Sequence, residues 1–366
     1  MRIALVRRGY SNSGGAESYL KRLGQAIADA NHVPVLYGSP EWPRAEWPFG
    51  EIVPVTGRSP RKFADAFARI RGDADRVLTL DRVPGCDAYR AGDGVHAAWL
   101  ERRSALESGW RKWFRPLNRK HAQIAQLEDE IFDPASTTAI IANSRMVRDE
   151  IVRLHQYPEE RITVVPNGLP ESAYFAAPPR DDARMKFGIQ PNQFIALFAG
   201  SGWERKGLRF AIEAMHRLPR LELWVAGKGR PVGSAPKNVR FLGPRRDIPA
   251  LLAAADVFLL PTIYDPFSNA CLEALAAGIP VLTTAANGCS EVMQPGEDGE
   301  VFAQPTDIDA IVEALTKWSE GGRAVEAREA IRTRARRFTI EENTRRVLSV
   351  LLESPAPTAP SEPALI

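Results

Sequence analysis

Asp265 and Glu273 stand eight positions apart at the two ends of DPFSNACLE, a segment with no other charge. A Gly-Ile-Pro turn and the apolar run VLTT follow it. A carboxylate in a stretch suited to burial is unfavourable unless it finds partners, and the vicinal diol of a sugar gives two hydroxyls to one carboxylate. GSGWERKGL sets Arg205 and Lys206 just before Gly207 and an apolar helix pattern. Arg offers a planar fork to phosphate oxygens and Lys a compact charge, while a helix N-terminus adds N–H groups and a positive dipole end. That combination suits a diphosphate. A solvated charge pair at a helix start is the plainer explanation. In SNSGGAE, Gly14 and Gly15 let a backbone approach a ligand closely at another helix N-terminus. A tight turn needing positive φ calls for the same residues.

The elements that must position these residues repeat along the chain. MRIALV is a short apolar strand, and the helix after the glycine loop carries Leu20, Leu23, Ile27 and Ala30 on one face. QFIALFAG is a strand before SGWERKG, and the next helix buries Phe210, Ala211, Ala214, Met215 and Leu218. VPVLYG, RVLTLD, TAIIANS, ITVVPNG, LELWVAG, VRFLG, DVFLLP and IPVLTT read as further strands. DVFLLP ends at Pro261, and the helix carrying Glu273 starts at Ser268–Asn269 with Gly278 as its stop. Phe267, Ser268 and Asn269 then offer unpaired amides to an anion.

Strands alternating with helices imply parallel sheets, so the expected class is α/β with two doubly wound domains. The expected domains are 1–167, an acceptor domain, and 168–339, a nucleotide-sugar-binding domain, with the join where Pro and Gly cluster, within 167–185. A helix at 340–352 is expected to pack back on the first domain, ahead of a disordered Pro/Ala-rich tail at 353–366. Ligands of open parallel sheets bind beyond the carboxyl ends of the strands, so the strand-to-helix loops should carry function.

The composition sets bounds on this reading. A length of 366 residues exceeds one ordinary core, and 44% hydrophobic with 25% charged residues is a globular balance. Cys86, Cys271 and Cys289 form no CxxC pair and no even set, which argues against a disulfide framework and for a reducing compartment. The five histidines are scattered, with no HExxH or Cys/His cluster, so no metal site is expected. No apolar run reaches the roughly 18 residues that span a bilayer, and MRIALV is too short for a signal core. A cytoplasmic protein is expected.

The segment from Asp265 to Glu273 resembles the E-x7-E motif of retaining nucleotide-sugar glycosyltransferases of the GT-B fold, glycosyltransferase family 4. GSGWERKG is similar to that family's Arg/Lys diphosphate loop, SGGAE to its first glycine loop, and VVPNGL to its interdomain segment. FLGPRRDIPALLAAADVFLLPT resembles its nucleobase region. VPGCDAYRAGDGVHAAW resembles the branch that adds glucose to heptose of the lipopolysaccharide inner core. The resemblance covers most of 1–350 and implies two Rossmann-like domains facing across a cleft. It implies a hexose, glucose, moved from a UDP-sugar to a lipid-linked glycan. Glu273 would bond the ribose hydroxyls, Arg205 and Lys206 the diphosphate, the backbone around Arg245 and Arg246 the base, and Asp93 would lie beside the sugar. Gly15 would lie under the β-phosphate. Asp265 stands where the family has its first Glu, one methylene shorter, which leaves the donor sugar open.

No cofactor is implied beyond the nucleotide-sugar, since Arg205 and Lys206 do what a metal does in DxD enzymes. Asp73-x-Asp75 and Asp307-x-Asp309 have the DxD spacing, but the first precedes a strand and the second opens a helix, where acids suit the dipole. Residues 99–121 hold seven Lys or Arg against two Glu and three of the eight Trp. Trp99, Trp110, Trp113 and Phe114 interleaved with Arg111 and Lys112 suit an interface with anionic lipid, so the enzyme is expected on the inner face of the cytoplasmic membrane. A helix packing its Trp inward is the alternative, and a nucleic-acid face a weaker one. A dinucleotide oxidoreductase fails on AGKGRPV, which lacks the third glycine and continues with Pro231. A non-enzymatic binding protein would leave the Arg205/Lys206 and Asp265/Glu273 loops without purpose. A family member with a soluble acceptor leaves the basic aromatic stretch unexplained.

Overall fold

Short apolar runs bounded by glycine build two parallel sheets. The computed structural model describes residues 1–10, 15–106, 119–170, 172, 177–229 and 234–353. The chain divides into one unit of Met1–Val165 with Glu341 onward, and a second of Pro166–Ile340. The boundaries therefore fall one or two residues from the expected 167/168 and 339/340. The reason is local: Leu169 N donates to Phe338 O at 3.0 Å and Ile340 N to Leu169 O at 2.9 Å, which ties both crossing segments into the second unit.

In the first unit, β1 (Arg2–Arg7), β2 (Val33–Gly38), β3 (Ile52–Pro54), β4 (Arg76–Thr79), β5 (Cys86–Ala91), β6 (Thr137–Ala142) and β7 (Ile162–Val164) pair in parallel in the order β3-β2-β1-β4-β5-β6-β7. Leu20, Leu23 and Ile27 of the helix Gly15–Asp29 pack with Ile3, Leu5 and Leu36. Ala30 does not belong to that face; it lies past the helix end and is exposed. Val347 and Leu351 of the helix Ile340–Glu353 enter the same core, each fully buried. Burial of such side chains contributes about 2 kcal/mol apiece.

In the second unit, β8 (Ile195–Ala199), β9 (Glu222–Ala226), β10 (Val239–Gly243), β11 (Val257–Leu260), β12 (Val281–Thr284) and β13 (Gly299–Phe302) pair in parallel in the order β10-β9-β8-β11-β12-β13. The helix Leu208–His216 buries Phe210, Ala211, Ala214 and Met215, while Leu218 lies beyond its end and is only half-buried. Strand order reverses between β1 and β4 in one sheet and between β8 and β11 in the other. Chain leaving two such neighbours diverges to opposite faces and opens a crevice at their carboxyl ends.

Candidate active site

The loops after β8 and β11 meet at the switch point of the second sheet, and two glycines allow it. Gly207 has φ +75°, and a Cβ there would lie 1.8 Å from the carbonyl oxygen of Pro261. At Gly200, φ +146°, a Cβ would press on the Lys206 stem at 2.7 Å. With both constraints met, the carbonyl of Arg205 accepts from Ile263 N at 2.9 Å and from Thr262 Oγ1 at 2.9 Å. Arg205 Nη1 in turn donates to Tyr264 O at 2.8 Å.

These bonds carry Asp265 to the two cations. Lys206 Nζ lies 3.1 Å from Asp265 Oδ2, and Arg205 Nη1 lies 3.5 Å from the same oxygen. The Lys206 and Asp265 side chains are only 11% and 8% exposed, so the ion pair is weakly screened. An ammonium has three donors, and Asp265 takes one.

Asp265 is held from behind by the loop after β12. Its N–H donates to Ala286 O at 2.9 Å and its carbonyl accepts from Gly288 N at 2.9 Å. Asn287, fully buried between them, accepts at Oδ1 from Ser268 N and from Cys289 N, each at 3.1 Å. Its Nδ2 donates to Thr283 Oγ1 at 3.0 Å and Cys271 Sγ at 3.3 Å. The Ser268 amide is therefore engaged, which corrects the expectation that it is open to a ligand: the Asn287 side chain reaches it first. Ser268 also caps the helix Asn269–Ala276, its Oγ accepting from Cys271 N at 3.4 Å. Asn287 was not singled out in the sequence: its cap on Cys289 N is local, but its partners Ser268 and Cys271 lie 19 and 16 positions away.

Glu273 lies in the second turn of that helix, half-buried. Among the described residues its carboxylate makes no hydrogen bond or ion pair. Burial raises its pKa above the usual carboxylate value, against the pull of Lys206. Phe267 is buried, and Asn269 accepts at Oδ1 from Asn167 Nδ2 at 2.7 Å.

The other expected residues divide. Arg245 is exposed and forks onto Asp247 at 2.8 and 2.6 Å; Arg246 is exposed. Of the two DxD sequences, Asp73 pairs with Arg2 at 3.3 Å, Asp307 caps a helix through Ala310 N at 3.0 Å, and Asp309 pairs with Arg217 at 2.6 Å. In the first unit Asp93 is exposed just past β5, on a loop held by Arg82 Nη2 on Gly94 O at 2.8 Å and Asn143 Nδ2 on Gly92 O at 3.2 Å. Gly15 is the first residue of the helix Gly15–Asp29; Gly14 lies outside the described residues. Trp99 sits half-buried in the helix His96–Ala105, and Trp110, Arg111, Lys112, Trp113 and Phe114 lie outside the described residues. Arg102, in the same basic stretch, is drawn to Glu150 at 2.7 Å.

Residues 193–320 match the family described as Glycosyl transferases group 1, and residues 13–172 match Glycosyltransferase Family 4. The lipopolysaccharide glucosyltransferase WaaG of Escherichia coli is 31% identical over 260 residues, which cover 67% of this chain and 68% of that protein. This chain belongs to glycosyltransferase family 4. LpsE of Rhizobium meliloti, named a lipopolysaccharide core biosynthesis glycosyltransferase, is 27% identical over 304 residues, 79% of this chain and 81% of that one. A crystal structure of WaaG, described as a glycosyltransferase involved in lipopolysaccharide biosynthesis, matches with a TM-score of 0.77 at 25% identity, over 96% of this chain and 100% of that one. The two parallel sheets of this glycosyltransferase are those of the GT-B fold.

Proposed function

We propose that this glycosyltransferase moves a hexose, glucose, from a UDP-sugar to a lipid-linked glycan, the heptose of a lipopolysaccharide core, with retention and without a metal. The observation that carries the donor half is the meeting of Arg205, Lys206 and Asp265 beyond β8 and β11. The names of its relatives WaaG and LpsE support the acceptor half. Negative charge grows on the departing nucleoside diphosphate as the glycosidic bond breaks, and cations already in place stabilise it without reorganisation. Lys206 keeps two donors for phosphate oxygens while the third stays on Asp265, and Asp265 accepts from a hydroxyl of the transferred sugar. Glu273 accepts from the ribose diol, which supplies the partners that the described residues do not. The Phe267 and Asn269 amides and the backbone at Arg245 and Arg246 complete the donor contacts. The departing phosphate oxygen takes the acceptor's proton, so no strong side-chain base is needed.

A second reading keeps the reaction and changes the sugar. It rests on Asp265, one methylene shorter than the residue the motif leads one to expect and held back by Lys206. Both are tested by supplying labelled UDP-glucose and UDP-galactose, each with lipopolysaccharide truncated at the core heptose and with a preparation lacking heptose. Transfer of glucose to the first acceptor alone, with α configuration, is expected. Galactose transfer would select the second reading, and transfer to neither acceptor would defeat both.

A further inference from the structure

The loops after β1, β2 and β3 line an open pocket of ≈ 400 Å³ with half-buried Arg8, buried Ser39 and exposed Glu41, Thr56 and Arg58 among others. It lies at the carboxyl ends of parallel strands, where such sheets take ligands, and no residue of the donor site belongs to it. Its floor is fixed by hydrogen bonds. Asp81 Oδ2 accepts from Arg8 N at 2.6 Å, and Ser39 Oγ from Gly9 N at 3.0 Å. Asp81 also pairs with Arg7 at 3.4 Å. Asp81 thus holds Arg7 and the Arg8 backbone but not the Arg8 guanidinium. Among the described residues neither Arg8 nor Arg58 has an ion-pair partner.

Two guanidiniums lining one pocket offer an anion charge-assisted donors from two sides. The rest of the lining narrows what kind of anion. Ser39, only 6% exposed, accepts from Gly9 and keeps its own proton to donate. Thr56 adds a second hydroxyl. Glu41 repels a bare anion but accepts from a sugar hydroxyl. Cations, hydroxyls and one carboxylate together suit a polyol that carries an oxyanion. A cavity of ≈ 440 Å³ in the second unit holds Arg220 and Lys237, but it opens at the amino ends of β8, β9 and β10, the end of the sheet that does not bind ligands in such folds.

We propose that the cavity beyond β1, β2 and β3 binds a saccharide unit bearing a phosphate or a carboxylate, with Arg8 and Arg58 on the oxyanion and Glu41 on ring hydroxyls, and that this unit is part of the acceptor. The last clause rests on the reading of the protein as a transferase to an envelope glycan; the rest does not. The probes are glucose 6-phosphate, glucuronate and glucose, titrated into the intact protein and followed by NMR of the sugar. At least one charged sugar should bind at least tenfold more tightly than glucose, and the stronger of the two names the oxyanion. The double variant Arg8→Gln, Arg58→Gln should lose that preference, and Arg8→Lys, Arg58→Lys should keep it. Equal binding of glucose, or an unchanged preference in the Gln variant, overturns the site.

With acceptor substrate, the Gln variant should raise the acceptor KM at least tenfold and leave UDP affinity and acceptor-free donor hydrolysis as in the wild type. An unchanged KM overturns the assignment to the acceptor. If UDP binds to neither form, the donor reading fails instead, and the sugar titration still decides the cavity.

Discussion

At the scale of single residues, the proposed donor site is a balance of three charges and one acid that is unpaired among the described residues. Lys206 is both a proposed ligand of the diphosphate and the buried partner of Asp265. Its removal therefore reaches further than a surface lysine would. Lys206→Met keeps the stem and removes the charge, leaving Asp265 to Arg205 at 3.5 Å. Unfolding stability should fall by about 1–3 kcal/mol, and kcat by about 10²–10³; denaturant melts and transfer assays measure both, and full activity would remove Lys206 from the chemistry. Glu273 behaves oppositely. Burial raises its pKa, so just above the ordinary carboxylate range the folded chain holds a proton that the unfolded chain has lost. Stability contributed by that proton is present at lower pH and falls as pH rises through the raised value. Glu273→Gln should then raise the melting stability of the ligand-free protein at neutral pH by about 1 kcal/mol while weakening UDP. Hydroxyls that bond to the ionised carboxylate pull its pKa back down. UDP binding near that pKa should therefore release more protons from the wild type than from Glu273→Gln, as read by calorimetry in buffers of different ionisation enthalpy.

At the scale of elements, the site depends on how closely one loop can lie on another. Gly207→Ala places a Cβ against Pro261 O in a backbone region that side chains rarely adopt. A loss of about 3 kcal/mol or more is expected; a thermal melt equal to wild type would mean that the loop after β8 does not rest on β11. What could be read from sequence follows from the same local physics. β1, β8, β11 and β12 are apolar runs closed by glycine or polar turns, so their loops and the residues on them were legible. β5 was not called a strand, because Asp87 and Arg90 interrupt its apolar pattern. Both are buried with partners from elsewhere: Asp87 Oδ2 accepts from Val77 N at 2.7 Å, and Arg90 lies 4.2 Å over the Tyr19 ring. β3 and β13 were missed for brevity, at three and four residues. The contact of Lys206 with Asp265 spans 59 positions and that of Asn287 with Ser268 spans 19, so the cation pair and the two acids were visible but their mutual restraint was not.

At the scale of the whole molecule, the GT-B fold and the two sheets, with 31% identity to WaaG over two thirds of the chain, fix the class of reaction. Placement at a membrane is a separate proposal and rests on the basic aromatic stretch from Trp99 to Lys120. No helix among the described residues is long and apolar enough to cross a bilayer. Replacing Trp110, Arg111 and Trp113 together by Ala should weaken sedimentation with vesicles of one-third anionic lipid at least tenfold and leave UDP affinity alone. Unchanged sedimentation would assign those tryptophans to packing.

The switch point between β8 and β11 is proposed as a donor site that needs no metal. Calorimetric titration of UDP in the presence of chelator, on the wild type and on folded Lys206→Met, tests it most directly. Saturable binding to the wild type and at least tenfold weaker binding to the variant, a difference of about 1.4 kcal/mol, are expected. Binding that requires a divalent cation, or that is the same in both proteins, would contradict it.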